Sequence, residues 1–302
     1  MSSTEYPLDL NRDYFCASAN DLIKGKQKMT LREAQLLFIA ISQVVKEDKD
    51  FKTYTTTIPE LAEFMGIDTD SLYRDIKGIC KSLLQRVVEI QKNGSSEREK
   101  QQWETFQWIN NAKFENGKLT IRLSDDIKPY LIDLDRCYSQ TLLGTLLTFR
   151  SYYATRLYQY LKADFGAKKG QIEEWSFSCE ELREIFHVEE KDRNGKYKKY
   201  KLNRDLIRFT IVPALEELNS SDYVYIWDYS EQTVNKGRGK PTLVGVTFKA
   251  MLFDTKERKA FYLNTAKPMI EEINKMKLSQ TEKEDNHTEE NTVEQMDGQL
   301  MF

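Results

Sequence analysis

Residues 58–86 read IPELAEFMGIDTDSLYRDIKGICKSLLQR, and their spacing predicts two helices joined by a tight turn. Pro59 suits a first helical turn, where the amide it lacks would have no partner. Gly66 suits a helix end, where a left-handed residue is favoured. Thr69 can cap a second helix running to about Arg86. On that helix Leu72, Ile76, Ile79, Leu83 and Leu84 form an apolar face for the core. Arg74, Lys77 and Lys81 stand at i, i+3 and i+7 and so share another stripe, with Tyr73 beside them.

Outward from this pair, Thr30-Leu31-Arg32-Glu33 is a capping box, followed by Leu36, Leu37, Ala40, Ile41 and Val44 at helical spacing. A Thr-rich strand is expected over 53–57 and another over 87–91. The polar loop NGSSEREK then leads to a strand near 102–114. Asn116-Gly117 is a tight-turn signal before a strand over 118–123. Helix, strand, helix, helix and hairpin is the order of a winged helix, a helix-turn-helix carrying a β-hairpin.

The order then repeats. Helices are expected over 142–149 and 151–165, and a strand over 172–177. Ser178-Cys179-Glu180-Glu181 is a second capping box, opening a short helix to Phe186. A basic loop leads into a helix over 201–218, and strands near 223–229 and 243–249 flank SEQTVNKGRGKP. CEELREIFHV (179–188) aligns with IPELAEFMGI (58–67) at an offset of 121, with Glu60/Glu181, Leu61/Leu182 and Glu63/Glu184 identical. Tyr73, Arg74, Lys77 and Lys81 align with Tyr200, Lys201, Arg204 and Arg208 at an offset of 127. Two related units in one order imply an internal duplication. The expectation is an α+β chain of tandem winged-helix domains: an N-terminal irregular arm (1–29), a first domain (30–138), a second (139–253), a helix (254–278) and a disordered acidic tail (279–302).

Charge points to the partner. The formal net charge is −3, but 279–302 hold seven acids and one base, so the other 278 residues carry +3. Within KYKKYKLNRDLIRF (196–209), Lys196, Lys198, Lys199, Lys201, Arg204 and Arg208 face one acid, Asp205. Lys196, Lys198 and Lys199 are expected to form a flexible approach to a DNA backbone, and Lys201, Arg204 and Arg208 an ordered stripe beside an apolar one of Leu202, Leu206 and Phe209. Three like charges on one stripe repel unless an anionic partner meets them, and a duplex supplies closely spaced phosphates. The second helix of a helix-turn-helix enters the major groove, where Arg can also pair with guanine. Lys236, Arg238 and Lys240 stand at a hairpin tip, where a wing can reach the backbone.

Other classes lack their residues. There is no GxxxxGK[ST] phosphate loop, and the two histidines, His187 and His287, cannot build a paired-histidine metal site. His187 is expected to cap or pack at a helix end. Cys16, Cys80, Cys137 and Cys179 are too scattered for a metal or disulfide framework. No apolar run approaches the roughly eighteen residues of a membrane span, and the N-terminus lacks the shape of a signal peptide. The expectation is a cytoplasmic, non-enzymatic protein without cofactors.

The chain resembles the iteron-binding plasmid replication initiator (Rep) proteins over about 18–250. Ala19-Asn20-Asp21-Leu22-Ile23 before LREAQLLFIAIS carries the first part of the likeness. Ser151-Tyr152-Tyr153-Ala154-Thr155-Arg156-Leu157-Tyr158-Gln159-Tyr160-Leu161 is similar to that family's S-x-Y-A-x-R-L-Y-x-x-L signature, and Ile211-Val212-Pro213-Ala214-Leu215-Glu216-Glu217-Leu218-Asn219 to its helix end. The resemblance implies two winged helices whose recognition helices cover 71–86 and 201–218. It implies binding of direct repeats in double-stranded origin DNA, monomers that open the origin with the host initiator and helicase, and dimers that repress the initiator's own gene. Arg156 falls on the signature arginine and either contacts phosphate or ties the domain together. Pro213 is expected to kink or end its helix.

The terminal Gln299-Leu300-Met301-Phe302 is similar to short peptides with which bacterial replication proteins dock on the sliding clamp. Two further readings stand beside the initiator. One is a two-domain winged-helix transcriptional regulator; the other is a nicking enzyme acting through a tyrosine.

Overall fold

A computed structural model describes residues 4–91, 102–132, 134–165, 171–235, 237, 240–253, 255–269 and 271–272. The NGSSEREK loop, Lys236, Arg238, the acidic tail and its Gln299, Leu300, Met301 and Phe302 lie outside these residues.

The N-terminal segment is not an irregular arm. It holds β1 (Glu5–Pro7), β2 (Phe15–Ala19), α1 (Asn20–Lys24) and β3 (Lys26–Gln27). Then come α2 (Leu31–Ile41), β4 (Thr53–Thr57), α3 (Ile58–Met65), α4 (Thr69–Leu83), β5 (Val87–Gln91), β6 (Trp103–Gln107), β7 (Ile109–Glu115) and β8 (Lys118–Leu123). The arm's strands are short because each is one edge of a sheet completed elsewhere. β1 runs parallel to β4, β2 pairs antiparallel with β9 (Tyr138–Leu142), and β3 pairs with β5.

The second half continues through α5 (Leu143–Thr148), α6 (Tyr152–Phe165), β10 (Ile172–Ser178) and α7 (Cys179–Ile185). The long helix expected over 201–218 is three pieces: α8 (Asn203–Leu206), a π turn (Ile207–Ile211) and α9 (Val212–Asn219). β11 (Val224–Val234) and β12 (Thr242–Leu252) close the unit. Residues 1–252 form one compact unit, and one apolar core runs through its two halves. A second unit, 253–302, contains α10 (Lys256–Phe261), capped by the Thr255 hydroxyl, then a π turn (Tyr262–Ala266).

The duplication is visible in local chemistry. Thr57 and Ser178 each accept from the amide three residues on, and Glu60 and Glu181 bond back to their amides, so α3 and α7 begin with the same capping box. They also end alike. Gly66 (φ 66°) and His187 (φ 52°) occupy the left-handed position after the helix. The next amides, Ile67 and Val188, bond the Ala62 and Arg183 carbonyls at 2.9 and 2.8 Å. Leu61 and Leu182 are fully buried, where truncation of a leucine typically costs about 2–5 kcal/mol.

Strand order repeats as well. β4-β8-β7 matches β10-β12-β11, all antiparallel. The hairpin in the wing position of the first unit is therefore β7–β8, turned by Asn116 (φ 53°) and Gly117 (φ 75°). β5 and β6 are an insertion that pairs with β3.

The π turn has a local cause. Pro213 offers no amide, and its ring crowds the carbonyl four residues back. The backbone widens before it, so that the Val212 amide bonds the Ile207 carbonyl, five residues back. The Thr210 hydroxyl donates to the Leu206 carbonyl at 2.6 Å, which occupies an acceptor the widening frees.

The far end of α4 is pinned to α2. Arg86 makes two hydrogen bonds to the buried Glu33 carboxylate, at 2.9 and 3.1 Å, and the Thr30 amide adds another at 2.7 Å. Burial pushes the Glu33 carboxyl up, but the bonds from Arg86, Ser82 and Thr30 outweigh it and hold the group below its ordinary value of 4.5. The stability this adds is complete above pH 4.5, and it is lost as pH falls through the lower folded value. Urea midpoints for the wild type should therefore drop as pH falls below 4.5, and Glu33→Gln should start lower and drop less over that range.

Candidate nucleic-acid interface

α4 forms where the sequence places it, with one change at the start. Asp68, not Thr69, is the cap, accepting from the Ser71 amide at 2.9 Å. Its negative charge suits the positive end of the helix. Leu72, Ile76 and Leu83 are buried, while Tyr73, Arg74, Lys77 and Lys81 are all exposed. Tyr73 meets the ring of Phe114 on the β7–β8 wing edge-on, with centroids 6.2 Å apart. Gly78 lies on the basic face, one turn from Arg74. A Cβ added there would meet nothing within 4 Å, so no internal contact explains a glycine that costs a helix about 0.5–1 kcal/mol. It leaves the backbone bare at the centre of the stripe.

The second basic region is more ordered than a flexible approach. Asp192 and Lys196 form a turn with Gly195 at φ 75°, Lys191 bridges to Tyr197, and the Lys198 amide bonds the Glu190 carbonyl at 2.8 Å. Lys198 pairs with the Glu190 carboxylate. Lys199 donates to the Tyr153 hydroxyl at 2.6 Å and lies over the Tyr153 and Tyr200 rings. Lys196 is exposed at the outer end.

Arg183 holds this loop in place, and sequence reasoning missed it. Fully buried, it donates to the Lys199 and Tyr200 carbonyls at 3.3 and 2.8 Å and to the Asn203 side chain at 3.1 Å. Its guanidinium lies 3.7 Å from the Tyr197 ring centre. The first unit has Ala62 at this position and needs nothing larger, because residues 66–68 alone join α3 to α4. In the second, 186–202 must be gathered in before α8 can start.

Lys201 precedes the helix, and Tyr200 before it takes φ 47°. The cap of α8 is Leu202, which lies 134 residues after Asp68 by subtraction of their numbers. At that spacing the buried pairs Leu72/Leu206, Ile76/Thr210 and Cys80/Ala214 coincide, and so do the exposed Arg74 and Arg208. The offset of 127 is thus corrected. Tyr200 and Lys201 are not the counterparts of Tyr73 and Arg74, and Arg208 stands where Arg74 does. Arg204 and Arg208 are exposed on the helix itself. Of the apolar stripe Leu202, Leu206 and Phe209, only Leu206 is buried; Leu202 and Phe209 are exposed.

Arg156 is removed from the contact set, because it is 1% exposed and has no route to phosphate. It donates to the Gly25 carbonyl at 2.7 Å, to that of Ile23, and to that of Ile185 at 3.3 Å. These acceptors lie at the C-terminal ends of α1 and α7, where helix dipoles favour a cation. Burial pushes its pKa down, opposed by the neighbouring Tyr152 and Tyr160. Its signature neighbours are also scaffold. Ser151 caps α6 by accepting from the Ala154 amide and donates to Glu217, and Asn219 fixes the turn into β11 through both bonds to Ile226. On the second wing only Lys240 of the three basic residues is described, and it is exposed.

Among the described residues no group of three or more His, Cys, Asp or Glu could hold a metal, and no helix is long and apolar enough to cross a membrane. Burial pushes the thiols of Cys80 and Cys179 up to about 11, away from nucleophilic use.

Two basic helices in repeated winged-helix settings are matched by three likenesses to known proteins. The Initiator Replication protein family, in its WH1 model, matches residues 16–162. The match covers 147 of the 302 residues, just under half of the chain. A replication initiation protein of Escherichia coli is 25% identical over 228 residues, covering 74% of this chain and 66% of its own length, just under two thirds. The crystal structure of Pi initiator protein in complex with iteron DNA matches with a TM-score of 0.61 at 17% identity. It covers 81% of this chain and 99% of that one, which places both winged-helix units of this fold beside it.

Replacing Arg156 by Met should strand three buried carbonyls and lower unfolding stability by about 3 kcal/mol, read from urea denaturation. A phosphate-binding role would instead leave stability unchanged.

Proposed function

We propose that the chain is a non-enzymatic initiator of plasmid replication that binds directly repeated sites in double-stranded origin DNA. The observation that carries this reading is the repeated placement of exposed arginine on the second helix of each winged-helix unit, Arg74 on α4 and Arg208 on the π turn after α8. The match of 16–162 to the model of an initiator family supports it, as does the likeness of fold to an initiator solved on iteron DNA.

In this reading Tyr73, Arg74, Lys77 and Lys81 enter one stretch of major groove, and Arg204 and Arg208 another. Lys196, Lys198, Lys199, Lys201 and the wing residues Lys236, Arg238 and Lys240 meet phosphate. The division into winged-helix domains near 138/139 belongs to the same proposal. So do a cytoplasmic location, a monomer–dimer equilibrium with autorepression, recruitment of host initiator and helicase, and clamp docking by 299–302.

Footprinting on the DNA flanking the gene tests the reading. Protection should fall on short direct repeats; a single palindrome would favour a transcriptional regulator. Arg208→Ala should weaken repeat binding by roughly 1–3 kcal/mol and relax specificity at one position. Lys196→Ala should weaken all duplexes alike and reduce the salt slope by about one. A wild-type affinity and base preference for Arg208→Ala would remove the second helix from the interface.

A further inference from the structure

Leu202, the cap of the second recognition helix, and Phe209, in its π turn, are 65% and 51% exposed. Single exposed apolar residues need no account, but these two lie amid Lys199, Lys201, Arg204 and Arg208, all exposed. The other side of the same turns is well packed, with Leu206, Ile207 and Thr210 buried. The chain had interior places for apolar residues here and put two of them outside.

Phe209 is also held. Its ring stacks on Tyr200 with centroids 6.3 Å apart and planes 21° apart, and the Arg208 guanidinium lies 5.3 Å from its centre. Tyr200 is fixed in turn by its hydroxyl contact with Tyr153 at 3.1 Å and by the bond from Arg183 to its carbonyl. A fixed aromatic ring loses little entropy when it meets a ligand. The π turn before Pro213 contains Phe209, and such turns recur at functional sites.

The ligand must be apolar at the contact and anionic around it. In a duplex, the apolar group of the major groove is the C5-methyl of thymine, framed by phosphates. The N-terminal part of a recognition helix is the part that reaches base edges. We propose that Leu202 and Phe209 form an apolar contact that reads thymine C5-methyl groups in the repeat, a specificity element beside the arginines. The inference rests on the DNA-binding reading above.

The test begins by selecting a preferred duplex from a random library with the full chain. Each thymine of that duplex is then replaced in turn by deoxyuridine, which pairs identically and lacks the methyl. Loss of one buried methyl is expected to weaken wild-type binding about fourfold at one or two positions. Phe209→Ala should bind the thymine duplex more weakly and be indifferent to deoxyuridine at those positions, while Phe209→Leu should retain part of the penalty. Equal wild-type affinity for every deoxyuridine duplex overturns the inference and leaves repeat binding standing. The wild-type scan alone decides this if Phe209→Ala fails to fold. An unchanged deoxyuridine penalty in Phe209→Ala, with loss of a dimer in sedimentation, would make the patch an interface between copies and also overturn it. Failure to select any duplex overturns the DNA-binding reading itself.

Discussion

A buried guanidinium sets the geometry of the 1–252 unit. Arg156 on α6 reaches the C-terminal carbonyls of α1 and α7, one from each half of the chain. Backbone acceptors at helix ends must be satisfied, and water has no access here. One rigid fork therefore meets a need of two helices at once, which a lysine with its point charge could not do. α7 is the helix against which the second basic loop is built, and α1 leads into β3, which pairs with β5, the strand that follows α4. The two helix ends, one from each half, share this anchor.

A second buried arginine does the corresponding local work. Arg183 gathers 199–203 by their carbonyls and side chains, so the chain arrives at α8 with Tyr200 in a left-handed conformation and Lys199 drawn over aromatic rings. The basic loop is thereby pre-shaped. Under the proposed function, little ordering would remain for it on meeting phosphate, and binding would lose less to entropy for that reason.

Much of this fold was legible in the chain because its signals are local. Capping boxes at Thr30 and Ser178, the left-handed Gly66 and the Asn116–Gly117 turn each depend on residues a few positions apart, and each formed as read. The features that escaped depend on distant partners. β2 has five residues and pairs with β9 more than a hundred positions away, so its pattern alone resembled an arm. For Arg156 the sequence left phosphate contact and a tie within the domain both open, and only the carbonyls of Ile23 and Gly25 brought to it decide for the tie. The repeat was found, but its register in the second helix was taken from charges, which are free to drift on a surface. Burial supplies the firmer alignment, and it moves Arg208 onto Arg74. Phe209 was placed on one stripe with Leu202 and Leu206 by a regular helical period that the π turn interrupts.

The central claim is that α4 and α8–α9 reach separate stretches of the same duplex. Hydroxyl-radical footprinting of the full chain on its selected repeat, with Arg74→Ala and Arg208→Ala compared with the wild type, tests it most directly. The account predicts two protected patches per repeat, with each variant losing a different one. A single patch, or the same loss in both variants, would contradict it.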